Sequence, residues 1–374
     1  MAVNSNQKKN PQSSGAGGRR RMTAKEYKAK KRKKYIIFGI ELAVILAMVA
    51  VLYVVMTRTS EGPKVVALEP EELEIQQEVA ENETMKGYMN IALFGVDAQS
   101  DNELFKGSNS DSIMIASINM DTGDIKLVSV YRDTYLNVGT DYYRKCNYAY
   151  AAGGAEQAVK MLNMNLDLDI TNFVTVGYKG LREVIDGLGG IYVEVDSEEL
   201  KHINNYQIGI SEVLQCDYTP VTEAGYQLLD GLQATAYCRI RYTAGDDFKR
   251  ASRQREVIMA IEEQAKKADL ATLTKVFNDA IDDIYTSLDT QDILDLLENI
   301  SKYRIVDQGG FPEESMRTTA NIGAKGSSVI PLDLESNVVW LHHFLFDDQE
   351  YEVTDSVREY SRKIEEETSP YINR

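Results

Sequence analysis

Two carboxylates and a run of cations set the chemistry this chain can attempt. The stretch RIRYTAGDDFKRASRQREV, residues 239–257, carries Arg239, Arg241, Lys249, Arg250, Arg253 and Arg255 in a protein of formal charge −17. Arg239 and Arg241 are two apart and share a face only if YCRIRY is extended; in a helix they diverge by about 200 degrees. The alternation of Tyr237, Arg239 and Arg241 with Cys238, Ile240 and Tyr242 predicts a strand with one polar face. TAGDD is then a turn, and its Asp246 or Asp247 can cap the helix that follows. On that helix Arg250, Arg253 and Gln254 stand at i, i+3 and i+4 and line one side, with Ile258 and Ile261 packing inward. Two arginines at a strand end meeting two more at a helix start suit an anion with many oxygens. The guanidinium fork bonds phosphate in pairs, and the helix start adds partial positive charge. A solvated helix face neutralised by Asp246, Asp247, Glu256, Glu262 and Glu263 fits the same stretch equally well.

Asp111 stands at the entrance of an apolar strand in GSNSDSIMIASI, and Arg132 and Asp133 at the exit of the next in SVYRDTYL. If strands 112–119 and 124–131 form a hairpin through MDTGD, the two carboxylates share one end of it. Two carboxylates beside a diphosphate match how Mg²⁺ is ordinarily held, with phosphate and water completing its shell. Taken singly, each Asp reads rather as a turn or cap residue. Lys145, in YYRKCNYAY, offers one more phosphate contact or a solvated surface cation. Acids and arginines together point to phosphoryl chemistry. Zinc chemistry is disfavoured: His202, His342 and His343 show no ligand spacing, and no CxxC or HExxH occurs. Three cysteines make no disulfide framework. Cys146 and Cys238 sit among apolar neighbours and read as small hydrophobes.

The elements that must position these groups follow a membrane-type N-terminus. Residues 1–34 hold twelve Lys/Arg against Glu26 alone; a net of +11 there, against −17 overall, leaves −28 for the remainder. YIIFGIELAVILAMVAVLYVVMT, residues 35–57, carries only Glu41 as a charge. As a helix it is about 34 Å long, enough for a hydrocarbon core of about 30 Å. It is too long for a signal-peptide core and lacks a small-residue cleavage site, so an uncleaved anchor is expected. The basic flank places the head in the cytoplasm and the rest outside. Residues 58–86 read as an acidic extracellular stalk, 87–347 as the catalytic domain and 348–374 as a polar tail. Within the domain, strands at 88–96 and in NFVTVGY and GGIYVEV alternate with helices in GGAEQAVKMLNMNL and KGLREVIDGL, which suggests an α/β sandwich. The 197–224 stretch reads as an excursion from the sheet. Further helices are expected at 248–268, 270–281, 290–301 and 334–346, and a strand near 315–320. An extracellular, acidic domain argues against nucleic acid as a partner.

NIALFGVD, SDSIMIASIN, KLVSVYRDTYL, KCNYAYAAGG, VIDGLGGIYVEV, LDGLQATAYCRIRY and DDFKRASRQREV resemble, in order, the successive blocks of the LytR-CpsA-Psr (LCP) family of Gram-positive bacteria. The likeness covers about residues 88–268, more weakly to about 346. It implies an α/β/α sandwich with a central mixed sheet that transfers a glycan phosphate from a polyprenyl-pyrophosphate carrier to a muramic-acid 6-hydroxyl of peptidoglycan. Teichoic-acid-like or capsular polymers would be the cargo. By motif, Asp111 and Asp133 would hold Mg²⁺ (or Mn²⁺), and Arg132, Lys145, Arg239, Arg241, Arg250 and Gln254 would grip the pyrophosphate with Asp247 nearby. Leu181, Val184, Ile185, Val257 and Ile261 would line a lipid channel, though core packing explains them as well. Tyr131 stands where the family usually has Pro, Tyr148 where it has His, and Asn109 where it often has Arg; GVDAQS lacks the frequent Arg after its Asp. Two other functions fit the same residues: hydrolysis of the lipid-linked pyrophosphate, and a non-catalytic regulatory or tethering module.

Overall fold

A computed structural model describes residues 64–98, 104–241 and 246–372. The basic head and the expected transmembrane segment lie outside these residues. Among the described residues no helix is long and apolar enough to cross a membrane.

Among the described residues, thirteen strands form one large sheet and three two-stranded sheets. The sheet takes β1 (Lys64–Val65), β2 (Tyr88–Val96), β3 (Ser110–Asn119), β4 (Asp124–Val130), β7 (Asn172–Val176), β10 (Ile284–Thr286) and β11 (Arg304–Phe311), in the order β1-β10-β7-β2-β3-β4-β11. It is mixed: β2 runs antiparallel to β3 and parallel to β7, and β4 antiparallel to β3 and parallel to β11. The two-stranded sheets are β5 (Tyr135–Asn137) with β6 (Tyr143–Lys145), β8 (Ile191–Val195) with β9 (Gly225–Leu229), and β12 (Arg317–Asn321) with β13 (Ser327–Pro331). Ten helices accompany them: α1 (Gln77–Ala80), α2 (Tyr148–Leu166), α3 (Tyr178–Gly187), α4 (Ser197–Leu214), α5 (Gly231–Tyr237), α6 (Asp246–Ala265), α7 (Leu270–Ala280), α8 (Thr290–Glu298), α9 (Leu334–Phe346) and α10 (Asp355–Thr368).

Alternation along the strands gives each face its own cover. Phe94, Ile115 and Val128 face a core completed by Leu162 of α2, Leu341 of α9 and Val357 of α10. The opposite face carries Ile91, Leu93, Ile118 and Val174, and at one end Leu288, Ile293 and Leu296 close it. A second core, around Ile185, Val193, Ile203, Tyr237 and Val257, binds α3, α4, α5 and α6 to the β8–β9 pair. Between that subassembly and the sheet a cavity remains.

The mixed α/β fold with a central mixed sheet is as expected, and so is the β3–β4 hairpin, which pairs Met114 with Ser129 and Ile118 with Ile125. Four segments differ. The expected stalk contributes β1, paired to β10, and buries Leu73, Val79 and Met85 in the core. The 197–224 excursion is largely α4, opened by a capping box in which Asp196 and Glu199 each bond the other's backbone N–H. YCRIRY is not a strand: α5 ends at Tyr237 and a turn follows. All seven residues of α5 are buried, so no polar face marks it as a helix in the sequence. The polar tail contains α10, fastened by Asp167, whose carboxylate accepts bonds from Thr354 N (2.8 Å), Thr354 Oγ1 (2.8 Å) and Tyr351 Oη (3.1 Å).

Candidate active site

The cavity has a volume of about 590 Å³ and lies between the second sheet face and helices α3 and α6, with Tyr206 of α4 at its side. Leu93, Met114, Val174 and Val176 from the sheet and Leu181, Val257 and Ile258 from the helices make most of its wall apolar. Its polar end holds Asp97, Asp111, Arg132, Arg239, Arg241, Arg250 and Gln254.

Local structure explains how Asp111 reaches it. The β2–β3 register pairs Gly95 with Ser112 and Val96 with Ser110, so Asp111 is the unpaired residue of a bulge that turns its side chain out of the ladder. Gly95 permits the close approach: a Cβ there would stand 3.0 Å from that of Ser112. Arg132 follows the end of β4 and bridges both expected metal ligands. Its Nη1 contacts Asp111 Oδ1, and its Nε lies 3.6 Å from Asp133 Oδ2. Lys145 Nζ is 3.0 Å from Asp133 Oδ1. Asp133 and Lys145 therefore stand beside Arg132 rather than on the cavity wall.

The other cations arrive from the α5–α6 connection. Arg241 Nη2 is 3.4 Å from Asp111 Oδ2, and its Nε 3.8 Å from Asp247 Oδ1. Arg250 Nη2 is 3.0 Å from the same Asp247 oxygen and donates to the Asp111 carbonyl at 3.4 Å. Burial works against the charge of Arg132, but Asp111, Asp133 and Asp247 outweigh it and raise its pKa. Burial raises the Asp247 carboxyl in spite of Arg250 and Arg132, and burial lowers Arg250. Three guanidiniums, of Arg132, Arg241 and Arg250, thus share three carboxylates, of Asp111, Asp133 and Asp247.

The structure divides the six-cation run. Arg239, Arg241 and Arg250 reach the cavity. Arg253 does not reach it: it is fully buried, paired with Glu199 at 2.7 Å and donating to the Ile240 carbonyl at 2.9 Å. Arg255 points to the sheet, donating to Gln308 and Ser129 at 2.8 Å each. Of the expected channel residues, Leu181 and Val257 line the cavity. Val184, Ile185 and Ile261 do not; Ile185 and Ile261 pack into the second core, a helical turn beyond Leu181 and Val257. Sequence reasoning missed Asp97, which pairs with Arg239 at 3.4 Å, and Tyr178, whose ring lies 4.5 Å from the Arg239 guanidinium. The signal was present, since Asp97 leaves apolar β2 just as Asp133 follows β4. Cys238 lines the cavity as a small apolar group, its thiol pushed up to about 12 by burial. Buried Cys146 donates to the carbonyls of Tyr131 (3.2 Å) and Arg132 (3.4 Å), steadying that turn.

Asp111 and Asp133 supply hard oxygen donors of the kind Mg²⁺ takes. Among the described residues no group of three His, Cys, Asp or Glu is placed to hold a metal. In the structure these two carboxylates are joined through the Arg132 guanidinium, and Asp133 is also paired with Lys145.

The sequence pattern of the LytR_cpsA_psr family matches residues 52–332. Biofilm regulatory protein A of Streptococcus mutans is 34% identical over 182 residues, covering 46% of this chain and 43% of that protein. The polyisoprenyl-teichoic acid–peptidoglycan teichoic acid transferase TagU of Enterococcus faecalis is 31% identical over 231 residues, covering 60% of this chain and 69% of that one. The chain thus spans less than half of the first relative and about two thirds of the second. Among solved structures, an Enterococcus faecalis protein described as a transcriptional regulator superposes with a TM-score of 0.59 at 24% identity, over 78% of this chain and 99% of that one. Bacillus subtilis TagT superposes with a TM-score of 0.55 at 23% identity, over 75% and 99%. These likenesses establish the shared fold.

Proposed function

This chain belongs to the LytR-CpsA-Psr family, and from that premise we propose that it is a membrane-anchored extracellular phosphotransferase. It moves a glycan phosphate, of teichoic-acid or capsular type, from a polyprenyl-pyrophosphate carrier to a muramic-acid 6-hydroxyl of peptidoglycan. The observation that carries this reading is a single cavity with an apolar wall and a polar end of four arginines and two aspartates. A prenyl diphosphate has the same two halves. Relatives named as teichoic acid–peptidoglycan transferases support the choice of cargo and acceptor.

In this chemistry the acceptor hydroxyl oxygen bonds to the glycan-side phosphorus, and the bond from that phosphorus to the bridging oxygen breaks. Prenyl monophosphate leaves with the bond's electron pair. Arg132, Arg239, Arg241 and Arg250 meet the charge that builds on the phosphoryl and leaving oxygens, and Gln254 adds an amide. Catalysis is then mainly positioning and electrostatics. Mg²⁺ (or Mn²⁺), held by Asp111 and Asp133, would neutralise the diphosphate and its leaving oxygen. Asp247 is the better acceptor for the hydroxyl proton. Burial raises its carboxyl, whereas Asp133 is held by Lys145 and given to the metal. Residues 35–57 would tether the domain to the outer face of the cell membrane.

A regulatory reading rests on the names of the Streptococcus mutans relative and of the Enterococcus faecalis structure. One experiment separates the readings: the full-length chain is incubated with lipid-linked glycan, a peptidoglycan fragment and Mg²⁺. Glycan–peptidoglycan conjugate is the expected product. Free glycan phosphate without conjugate would assign hydrolysis instead, and unchanged lipid would leave only the regulatory role.

A further inference from the structure

Next to the acid cluster, and outside the cavity wall, stands an arginine with no acidic partner among the described residues. Arg144 lies on β6, stacked with its Cζ 3.7 Å from the centre of the Tyr148 ring and 5.7 Å from that of Tyr142. The two rings are 6.3 Å apart and nearly perpendicular, and Arg144 Nη1 approaches the Tyr142 hydroxyl at 3.4 Å. Tyr142 is 49% exposed. Most other cations of this acidic chain that sit near the site are committed to carboxylates, as Lys145 is to Asp133.

Chain geometry fixes the stack beside the reacting end. From Arg144, β6 runs directly into Lys145. Cys146 N then donates to the Thr134 carbonyl at 2.8 Å, and Asn147 N to the Arg132 carbonyl at 3.1 Å. Tyr148 is the next residue and opens α2. The stack is therefore laced, through two backbone hydrogen bonds, to the Arg132–Asp133 turn. None of its three residues lines the cavity that suits the lipid.

We propose that Tyr142, Arg144 and Tyr148 form the acceptor subsite, a platform for an anionic saccharide. This deepens the transferase reading and rests on it for the identity of the acceptor. A donor diphosphate seated in the cavity leaves its phosphorus to be approached from outside, and this platform is tied by the backbone to the turn that carries Arg132 at that polar end. The exposed ring of Tyr142 offers an apolar face with a polar edge, the kind of surface on which a pyranose can lie. Arg144, desolvated on one side by Tyr148 and free of carboxylates, offers its fork to an acid group on the sugar. A muramyl residue free of stem peptide carries such a group on its lactyl ether, and one bearing a stem peptide carries the carboxylates of that peptide; a neutral chitin-type oligosaccharide has neither.

The test measures binding of two soluble tetrasaccharides to the full-length chain by calorimetry, without donor. One alternates N-acetylglucosamine and N-acetylmuramic acid; the other is neutral chitotetraose. The muramyl glycan is expected to bind at least tenfold more tightly than chitotetraose. Arg144→Ala is expected to abolish that preference, and Tyr142→Ala to weaken both sugars at least fivefold. Arg144→Lys, which keeps the charge but not the planar stack, should retain part of the preference. A prenyl diphosphate titration and a melting curve accompany each variant. Equal binding of the two sugars to the parent chain overturns the proposal. So do variants that lose diphosphate affinity or melting temperature while keeping the sugar preference, which makes the stack a clip between β6 and α2. Failure of the parent chain to bind prenyl diphosphate sinks the transferase reading instead, and the sugar result still stands on its own.

Discussion

Arg253 and Glu199 form an ion pair at 2.7 Å with both side chains sealed from solvent. Glu199 also accepts from Asp196 N at 2.9 Å, and Arg253 donates to the Ile240 carbonyl at 2.9 Å. One pair thus ties α6 to the start of α4 and to the segment carrying Arg239 and Arg241. Removing one partner leaves the other charge buried alone. Arg253→Met is therefore expected to lower stability by about 3–5 kcal/mol in urea unfolding. Adding Glu199→Leu should recover part of that loss. Diphosphate affinity should fall in Arg253→Met although Arg253 lines no part of the cavity. Unchanged stability in the single variant would contradict the role assigned to the pair.

Asp111 and Arg241 test the polar end directly. Asp111→Asn is nearly isosteric but cannot balance a metal, and Arg241→Ala removes one fork. Each is expected to reduce conjugate formation by about 10²–10³-fold with an unaltered fold, in line with losing one preorganised charge-stabilising group. The Asp111→Asn defect should be insensitive to added Mg²⁺, whereas chelation should bring the parent chain down to a comparable rate. A parent chain fully active in chelator would remove the metal from the proposal.

Tyr131 and Gly310 are expected to be energetically coupled. A methyl at Gly310 would overlap the Tyr131 phenol, which also packs edge-on against Phe248 at 4.7 Å and under the Arg317 guanidinium at 4.8 Å. Gly310→Ala should cost about 1–3 kcal/mol through overpacking. In a Tyr131→Ala background it should cost about 1 kcal/mol less, a coupling read from a double-mutant cycle. Additive effects would mean the ring simply swings aside.

What the sequence disclosed, and what it hid, follows from how each residue announces itself. The hairpin that brings Asp111 and Asp133 to one end was legible because β3 and β4 carry strong apolar character and a recognisable turn. The bulge that presents Asp111 was not, since register is decided by partners far along the chain. Helix α5 defeated periodicity because it is buried all round. Arg253 was misassigned because spacing on a helix tells which residues share a side, not whether Glu199 waits there, 54 positions away. The cluster of Arg132, Arg239, Arg241 and Arg250 came from residue type and family order, and the extended strand expected to put Arg239 and Arg241 on one face is instead a helix end and a turn.

His342 gives a pH test of the fold. Burial holds its imidazole down to about 4, against an ordinary value of 6.5. Its Nε2 is 3.0 Å from the Leu166 carbonyl, and its ring stacks on Tyr351 at 3.5 Å. The folded state excludes a proton that the unfolded chain accepts. The contribution is therefore complete above pH 6.5 and is lost as the pH falls towards 4, by about 3 kcal/mol at most. His342→Phe should be less stable at pH 7.5 but show a shallower decline over that interval. Parallel melting curves for the two proteins would show that His342 titrates normally.

The anchoring of α10 on Asp167 has a bearing on biogenesis. The bonds from Thr354 to that carboxylate span 187 positions, and the contact between Tyr351 and Asp167 spans 184. The layer over α2 can therefore close only after residue 354 has been made. Until then an apolar sheet face lies bare, the state in which nascent proteins associate wrongly. On the extracellular placement proposed above, closure of that layer follows export, and the yield of folded protein then depends on the folding assistance met outside the membrane.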